Sequence, residues 1–243
     1  MQDFVHLHVH SQYSILDGQA AIKRLVDKAI ADGMKGIAIT DHGNMMGIKE
    51  FYNYVSGVNK GKEPEEKFKP IIGCEVYIAE RRLFNKETKD DRGHHLLLLA
   101  KNKQGYHNLV KIVSKAWSEG YYYNPRTDKV ELEKHHEGII CCSACLGGEV
   151  PQLIRNGKME QAERFYSLIE TNGGDKNESD LLNIGHMHWI NRRFSRAVEY
   201  YKRCCEITGM ETFREMILAD SDDLILMRVS PMDLPLILDL VGL

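Results

Sequence analysis

Apolar residues near the start of the chain alternate with polar ones, which is the spacing of a β-strand. Three apolar side chains alternate there with three histidines: Val5, Leu7 and Val9 with His6, His8 and His10. Residues two apart on a strand share a face, so a strand over 4–10 would present the histidines together. A His-x-His pair placed in this way fits a metal site.

Strand and helix patterns then alternate to about residue 158. Short apolar runs predict strands at 37–40, 71–78, 95–100 and 138–142. Apolar residues at helical spacing predict helices within 22–30, 48–55 and 106–117. Repeated strand–helix units indicate an α/β fold with a parallel sheet. The strand over 37–40 ends on Asp41 and His42, so two strands deliver metal-binding residue types at their C-terminal ends, as at the mouth of a barrel.

From about residue 157 no further strand is predicted. Four positions recur about one tetratricopeptide period later: Gly157, Ala162, Tyr166 and Ile169 recur as Arg192, Ala197, Tyr201 and Cys204. This spacing resembles the tetratricopeptide repeat and predicts helices near 179–190 and 195–207, with one or two more beyond Thr212. A helical bundle of no particular repeat is the alternative. Fewer than two repeats are present, whereas a solenoid usually needs about three, so this tail is expected to be a fragment of a repeat or to pack against something else.

The composition of the chain bears on its cellular compartment and on the partners it can bind. The chain has 243 residues and a formal net charge of −3, which gives no support for a strongly basic nucleic-acid surface. No apolar run approaches the length of about 18 residues that a membrane span needs, and no basic segment precedes the first apolar one as in a signal peptide. The six cysteines include two adjacent pairs, a poor disulfide framework, so a reducing cytoplasm is expected.

Five blocks, in order from residue 3 to about 156, carry a resemblance to a known family. They read FVHLHVHSQYSILDG, AITDHGNMMGIKEFY, KPIIGCEVYIA, HLLLLAKNKQGYHNLVKIVSKAWSEGYY and EGIICCSACLGGEVP. Together they resemble the PHP (polymerase and histidinol phosphatase) domain, in the form found at the N-terminus of the alpha subunits of bacterial DNA polymerase III. The resemblance implies a distorted seven-stranded (β/α) barrel with up to three metal ions at the C-terminal ends of its strands. It also implies phosphoester hydrolysis or metal-dependent 3′–5′ exonuclease proofreading.

The resemblance implies seven metal ligands in this chain: His8, His10, Asp17, His42, Glu75, His95 and Cys145. Imidazole and thiolate suit zinc, and bridging carboxylates suit a cluster of zinc or manganese ions, with iron as a further option. Asp41 precedes a ligand and is expected to orient it and so serve catalysis. His6, which shares a face with His8 and His10, is an alternative ligand.

The family's last block, an Asp-x-His on a late strand, is missing from the sequence, together with the final two strands. The expectation is therefore a truncated PHP part at 1–158, an incomplete (β/α)7 barrel, followed by an all-α tetratricopeptide-like part at 159–243. A natural fusion, an assembly artefact and an engineered joint all fit this arrangement. His186 and His188 do not replace the missing block, because residues two apart on a helix point in different directions.

Three functions remain open. The first is the metal-binding PHP portion of a replicative polymerase alpha subunit, which works with DNA and other replicase subunits and has no polymerase active site of its own. The second is a free-standing metallo-phosphoesterase. The third is an interaction module whose tail binds a partner peptide or helix. A redox role for Cys142 and Cys145 is a further alternative, since the pair forms a C-x-x-C.

Overall fold

The computed structural model describes residues 4–87, 93–162, 164–165, 178–226 and 229–242. The chain forms two compact units, Met1–Glu149 and Val150–Leu243. The first unit mixes helices and strands, and the described residues of the second contain helices and no strand. A mixed α/β fold is therefore confirmed. No helix in the described residues is long and apolar enough to cross a membrane.

The first unit consists of helices packed beside a sheet. Its helices are α1 (Ile22–Ala31), α2 (Ile48–Val58), α3 (Lys103–Ser118) and α4 (Lys129–Lys134), with a 3-10 turn at Pro64–Glu66. Its strands are β1 (Gly36–Ile39), β2 (Lys69–Ile78), β3 (His94–Ala100), β4 (Tyr121–Tyr122), β5 (Asn124–Thr127) and β6 (Ile139–Ser143). The predicted helical stripes lie in α1, α2 and α3, and the four predicted apolar strands lie in β1, β2, β3 and β6.

The sheet has β2 at its centre. Its strands run in the order β4-β5-β2-β3-β6, and β1 pairs with β2. β1 and β5 run parallel to β2, whereas β3 runs antiparallel to β2 and to β6. The prediction of a parallel sheet is therefore wrong at β3. Residues 79–87, which follow β2, contain no helix, so they do not supply the helical crossover that usually joins parallel neighbours.

Two apolar clusters attach the helices to the sheet. Val26 of α1, Phe51 of α2 and Ile39 of β1 are fully buried in the first. Leu109 of α3 packs with Cys74 of β2 in the second. Each cluster buries the apolar stripe that the sequence shows at helical spacing, which is why local periodicity was sufficient to find these helices.

The predicted strand over 4–10 is wrong. The segment forms no regular strand but lies along β1, where the Ala38 amide donates to the His6 carbonyl and the Thr40 amide to the Val9 carbonyl, each at 2.9 Å. Two amides two residues apart thus meet carbonyls three residues apart. The extra residue breaks the period-two ladder that the alternation of side chains predicted.

Two short strands were missed, since neither β4 nor β5 has an apolar alternation. β5 contains Arg126, which is fully buried and donates to the carbonyls of Leu83 (3.2 Å) and Asn85 (2.7 Å). β5 pairs with the end of β2 and is thus held by tertiary contacts. Helix α4 was also not predicted. Helix α5 (Glu149–Arg155) follows the segment that contains Cys142 and Cys145.

The second unit contains the predicted helical tail. Its helices are α6 (Glu178–Ile190), α7 (Phe194–Thr208), α8 (Met210–Ala219), α9 (Ser221–Leu226) and α10 (Asp233–Gly242). The first two match the helices predicted near 179–190 and 195–207. Of the positions that define the repeat, Tyr166 and Ile169 lie outside the described residues, so the repeat itself stays a prediction.

Gly185 allows α6 to approach α7 closely. A Cβ atom built at Gly185 would lie 2.3 Å from Cε1 of Tyr201, whose ring is fully buried. Ala197 is also fully buried in this core. Small residues at these two positions therefore let the large ring of Tyr201 fill the space between the helices.

We expect opposite effects from the same substitution at two helical glycines. Gly185→Ala should lower the free energy of unfolding by about 1–3 kcal/mol, because the added methyl overpacks against Tyr201. Gly57→Ala in α2 meets nothing within 4 Å and should raise it by about 0.5–1 kcal/mol, since alanine loses less backbone entropy. Urea unfolding of both variants against wild type measures the two changes. Equal changes of the same sign would contradict this packing.

Candidate metal centre

Glu75 lies at the centre of the candidate site. It stands on β2 between Cys74 and Val76, which point to the apolar cluster under α3, so the pleat turns Glu75 to the opposite face. Its side chain is 0% exposed. A buried carboxylate needs charged or hydrogen-bonding partners to offset its lost hydration.

Four imidazoles surround this carboxylate. His8 Nε2 and His95 Nδ1 lie 3.3 and 2.8 Å from Oε1. His10 Nε2 and His42 Nδ1 lie 3.5 and 2.6 Å from Oε2. Each carboxylate oxygen therefore faces two ring nitrogens. The two oxygens can thus belong to two neighbouring sets of metal ligands.

The remaining two predicted ligands lie beside this cluster. Asp17 Oδ2 is 2.8 Å from His42 Nε2. Cys145 Sγ is 3.5 Å from His95 Nδ1 and 3.7 Å from Glu75 Oε1. The structure thus brings all seven predicted ligand residues together, while their role as ligands stays a prediction.

Three subsets have geometry suited to a metal ion, with ligand atoms within 4.8 Å of one another. They are His8, His10 and Glu75; His10, Asp17 and His42; and His42, Glu75 and His95. His10, His42 and Glu75 are each shared by two subsets. Cys145 belongs to none of the three but contacts members of the last.

Asp41 holds the loop that carries Asp17. It is buried, and its carboxylate accepts hydrogen bonds from the Ser11 amide (2.6 Å), the Ser11 hydroxyl (2.7 Å) and the Ser14 hydroxyl (2.6 Å). Gly18 closes the same loop, where a Cβ would lie 1.9 Å from the Ser11 carbonyl oxygen. The loop therefore has almost no freedom at either end.

The expected role of Asp41 in orienting a ligand has a physical route through Ser14. Ser14 Oγ lies 3.4 Å from His10 Nδ1 and accepts a hydrogen bond from the His42 amide at 3.1 Å. Asp41 itself joins none of the three ligand subsets. Ser11 and Ser14 were missed in the sequence, because serines in a polar loop carry no periodic signal.

The donor atoms fit divalent metal ions. His8 Nε2, His42 Nδ1 and Glu75 Oε2 are buried, and their short ion-pair contacts within the cluster do not have the geometry of hydrogen bonds. Ring nitrogens and a carboxylate oxygen that converge without good hydrogen-bond geometry are suited to sharing a bound ion. Imidazole nitrogens together with carboxylate oxygens are the ligands that zinc and related ions prefer.

The cluster's charges shift the pKa values of its members. Burial raises the pKa of Glu75, but the contacts from His42, His8 and His95 lower it by more, so the carboxylate stays ionised. Contact with Glu75 raises the pKa of His42, against the effect of burial. Burial and the neighbouring His42 lower the pKa of His10. The rings of His10 and His42 stack with their centroids 4.0 Å apart. His10 is therefore more readily neutral than His42.

Tyr77 is a further residue of the site that the sequence did not single out. It lies two residues after Glu75 on β2 and so shares its face. Its ring centroid is 6.2 Å from that of His42 and 5.1 Å from that of His95. Burial and the charge of Glu75 raise the pKa of Tyr77 to about 12. Strand spacing from Glu75 was the available signal.

Other histidines lie outside the cluster. His6 is exposed, packs edge-on against Phe4 at 4.7 Å, and joins none of the ligand subsets. In the second unit His186 contacts the Tyr201 hydroxyl at 2.8 Å and Asp220 at 3.1 Å. His188 is buried and stacks on Tyr200. Both histidines of α6 therefore have structural contacts there.

Imidazoles gathered around a buried carboxylate, on a mixed sheet flanked by helices, define the class of domain. The chain belongs to the PHP domain family, whose family model matches residues 6–177. This match continues beyond residue 158, and the predicted division of the chain there stays a prediction.

Several relatives are named DNA polymerase III subunit alpha. The one from Borreliella burgdorferi is 49% identical over 164 residues, which cover 66% of this chain and 13% of the relative. The one from Treponema pallidum is 46% identical over 162 residues, with the same shares. The one from Chlamydia trachomatis is 45% identical over 209 residues, which cover 81% of this chain and 16% of the relative. The chain thus spans about one eighth to one sixth of their length.

We expect the histidine titrations of the chelator-treated chain to follow these contacts. His42 should titrate above the ordinary value of about 6.5 and His10 below it. Glu75→Gln should lower the pKa of His42, since contact with the Glu75 carboxylate is the main cause of the raised pKa. The raised pKa means that the His42 contact stabilises the folded chain below about pH 6.5, and this contribution is lost as the pH rises through the folded value. Imidazole NMR, assigned with single His→Gln variants, tests this order, and the reverse order would refute it.

Proposed function

We propose that this chain is the metal-binding PHP portion of a replicative DNA polymerase III alpha subunit. In that setting it acts in the cytoplasm, with DNA and the other replicase subunits as partners. The names of the relatives support this assignment, and the buried Glu75 with its four imidazole neighbours is the observation that carries the metal-binding role.

We further propose that the cluster holds zinc or manganese, with iron as an alternative, at up to three positions. Three overlapping ligand subsets support this number. Glu75 would bridge two positions, because each of its oxygens faces two different imidazoles. Cys145 would add a thiolate beside His95, which favours zinc over a harder ion.

The proposed chemistry is hydrolysis of a phosphoester, in the form of 3′–5′ exonuclease proofreading. Divalent ions bound here would neutralise phosphate charge and supply a nucleophile from water near neutral pH. Asp17, whose side chain is 58% exposed, lies on the solvent side of His42 and would face the incoming substrate. Glu75, fully buried, would keep the ligand groups at fixed separation.

The architecture around the centre is part of the same proposal. In the residues that the structure describes, the mixed sheet of the first unit corresponds to a distorted (β/α)7 barrel without its last two strands, and the sequence lacks the Asp-x-His block. The helices of the second unit correspond to a tetratricopeptide-like tail, which could bind a partner peptide or helix. The close packing of Gly185 on Tyr201 supports this assignment of the tail.

Metal analysis should show more than one equivalent of zinc, manganese or iron per purified chain. Glu75→Gln should remove most of it, because the amide has half the oxygen donors of a bridging carboxylate and no charge. Glu133→Gln, the same change on an exposed site of α4, is the matched control and should keep the metal. Fewer than one ion in the wild-type chain, or equal metal in both variants, would count against the proposed centre.

The metal-loaded chain should release nucleotides from the 3′ end of a 5′-labelled single-stranded oligonucleotide. Glu75→Gln should lower the rate at least about 100-fold, the upper end of the loss reported for partners of metal ligands, and Glu133→Gln should leave it unchanged. Hydrolysis of an aryl phosphate without attack on DNA would favour the free-standing phosphoesterase instead. If the metal-loaded chain hydrolyses neither the oligonucleotide nor the aryl phosphate, the proposed hydrolytic role is wrong.

A further inference from the structure

Tyr77 occupies a defined place beside the cluster. On β2 it follows Glu75 by two residues, and in the antiparallel register of β2 and β3 it lies directly opposite His95. Its ring meets the His95 ring edge-on at 5.1 Å and lies nearly parallel to the His42 ring at 6.2 Å. The Tyr77 ring therefore lies beside two imidazoles that both contact Glu75.

Two glycines in left-handed conformations pack against Tyr77, Gly43 against its ring and Gly93 against its Cβ. Gly43 has a φ of +60°, and a Cβ there would lie 3.0 Å from Cε2 of Tyr77. Gly93 has a φ of +82°, and a Cβ there would lie 3.0 Å from Cβ of Tyr77. Close packing at the ring and at the Cβ restricts this side chain on folding, so less entropy is lost when its hydroxyl binds a ligand.

The hydroxyl itself has an unused donor. Tyr77 is half-buried, yet its phenol makes no hydrogen bond to the residues that the structure describes. The phenol oxygen is not among the fully buried unpartnered atoms, so it is open to solvent and available to a ligand. Its ring neighbours His42 and His95 are both candidate ligands, which places the phenol beside the cluster.

We propose that the Tyr77 hydroxyl donates a hydrogen bond to a non-bridging oxygen of a phosphate group held at this centre. The ligand class is a phosphate monoester or the terminal phosphodiester of a nucleic acid strand. A neutral phenol is a donor of one hydrogen bond, and bonds to a charged acceptor are stronger than those between neutral groups. Tyr77 is then a substrate-binding residue, and this inference rests on the proposed function.

The experiment compares Tyr77→Phe with Tyr52→Phe in the full chain. Tyr52 is exposed on α2 and outside the cluster, so it is a matched loss of one hydroxyl. Metal content is measured first, and then the binding of inorganic phosphate by calorimetry. Tyr77→Phe should keep its metal and its unfolding midpoint without phosphate. Its phosphate Kd should rise about 10-fold, which corresponds to about 1.4 kcal/mol, and Tyr52→Phe should match wild type.

Kinetics give a second measurement that a purely structural role would not produce. With an aryl phosphate, Tyr77→Phe should raise KM about 10-fold with kcat within about twofold, as expected for lost uniform binding. Unchanged phosphate affinity in metal-loaded Tyr77→Phe overturns the inference and leaves the proposed metal centre standing. Loss of metal in Tyr77→Phe also overturns it, since the residue would then support the metal rather than the phosphate. If metal-loaded wild type binds no phosphate, the inference and the proposed hydrolytic function fail together.

Discussion

Burial of the Glu75 carboxylate is the constraint on which the first unit depends. A carboxylate removed from water costs several kcal/mol unless opposite charge lies close to it. The partners come from three places in the chain: the segment before α1, the end of β1, and the start of β3. The sheet, with β2 at its centre, brings these three places to one carboxylate. The strand order is thus tied to the chemistry of one residue as much as to its apolar clusters.

Asp41 is a second buried carboxylate whose partners come from another part of the chain. Asp41 is buried beside the cluster and is satisfied by Ser11 and Ser14 rather than by a histidine. Through Ser14 it contacts the backbone amide of His42 and lies one step from His10. A carboxylate that accepts three hydrogen bonds from one loop keeps that loop closed, so Asp17 returns to the cluster although it lies seven residues beyond His10.

Local patterns in the sequence were sufficient where an element buries its own stripe. The helices α1, α2 and α3 and the apolar strand β3 were predicted because their side chains alone reveal the buried face. Strand β5 was missed because Arg126 is held by carbonyls from a distant loop, which no local pattern records. The predicted direction of β3 was wrong for the same reason. Periodicity shows that a strand exists but not whether it runs parallel or antiparallel to its neighbours. Likewise the seven ligand residues came from a resemblance to family motifs, whereas Ser11, Ser14 and Tyr77 became visible only in three dimensions.

The geometry of Glu75 also bears on the missing Asp-x-His block. All seven clustered residues lie within the first compact unit, before the boundary at Glu149. Each Glu75 oxygen already faces two imidazoles, so a ligand group exists on both sides of the carboxylate without any later residue. The subset without Glu75 consists of His10, Asp17 and His42, and its Asp17 is the most exposed of the three. In the proposed centre, a late Asp-x-His would therefore matter most on that open side and least around the buried carboxylate. An ion at the buried end would take its ligands from the residues already gathered around Glu75, whereas one at the open end would complete its shell with water or substrate.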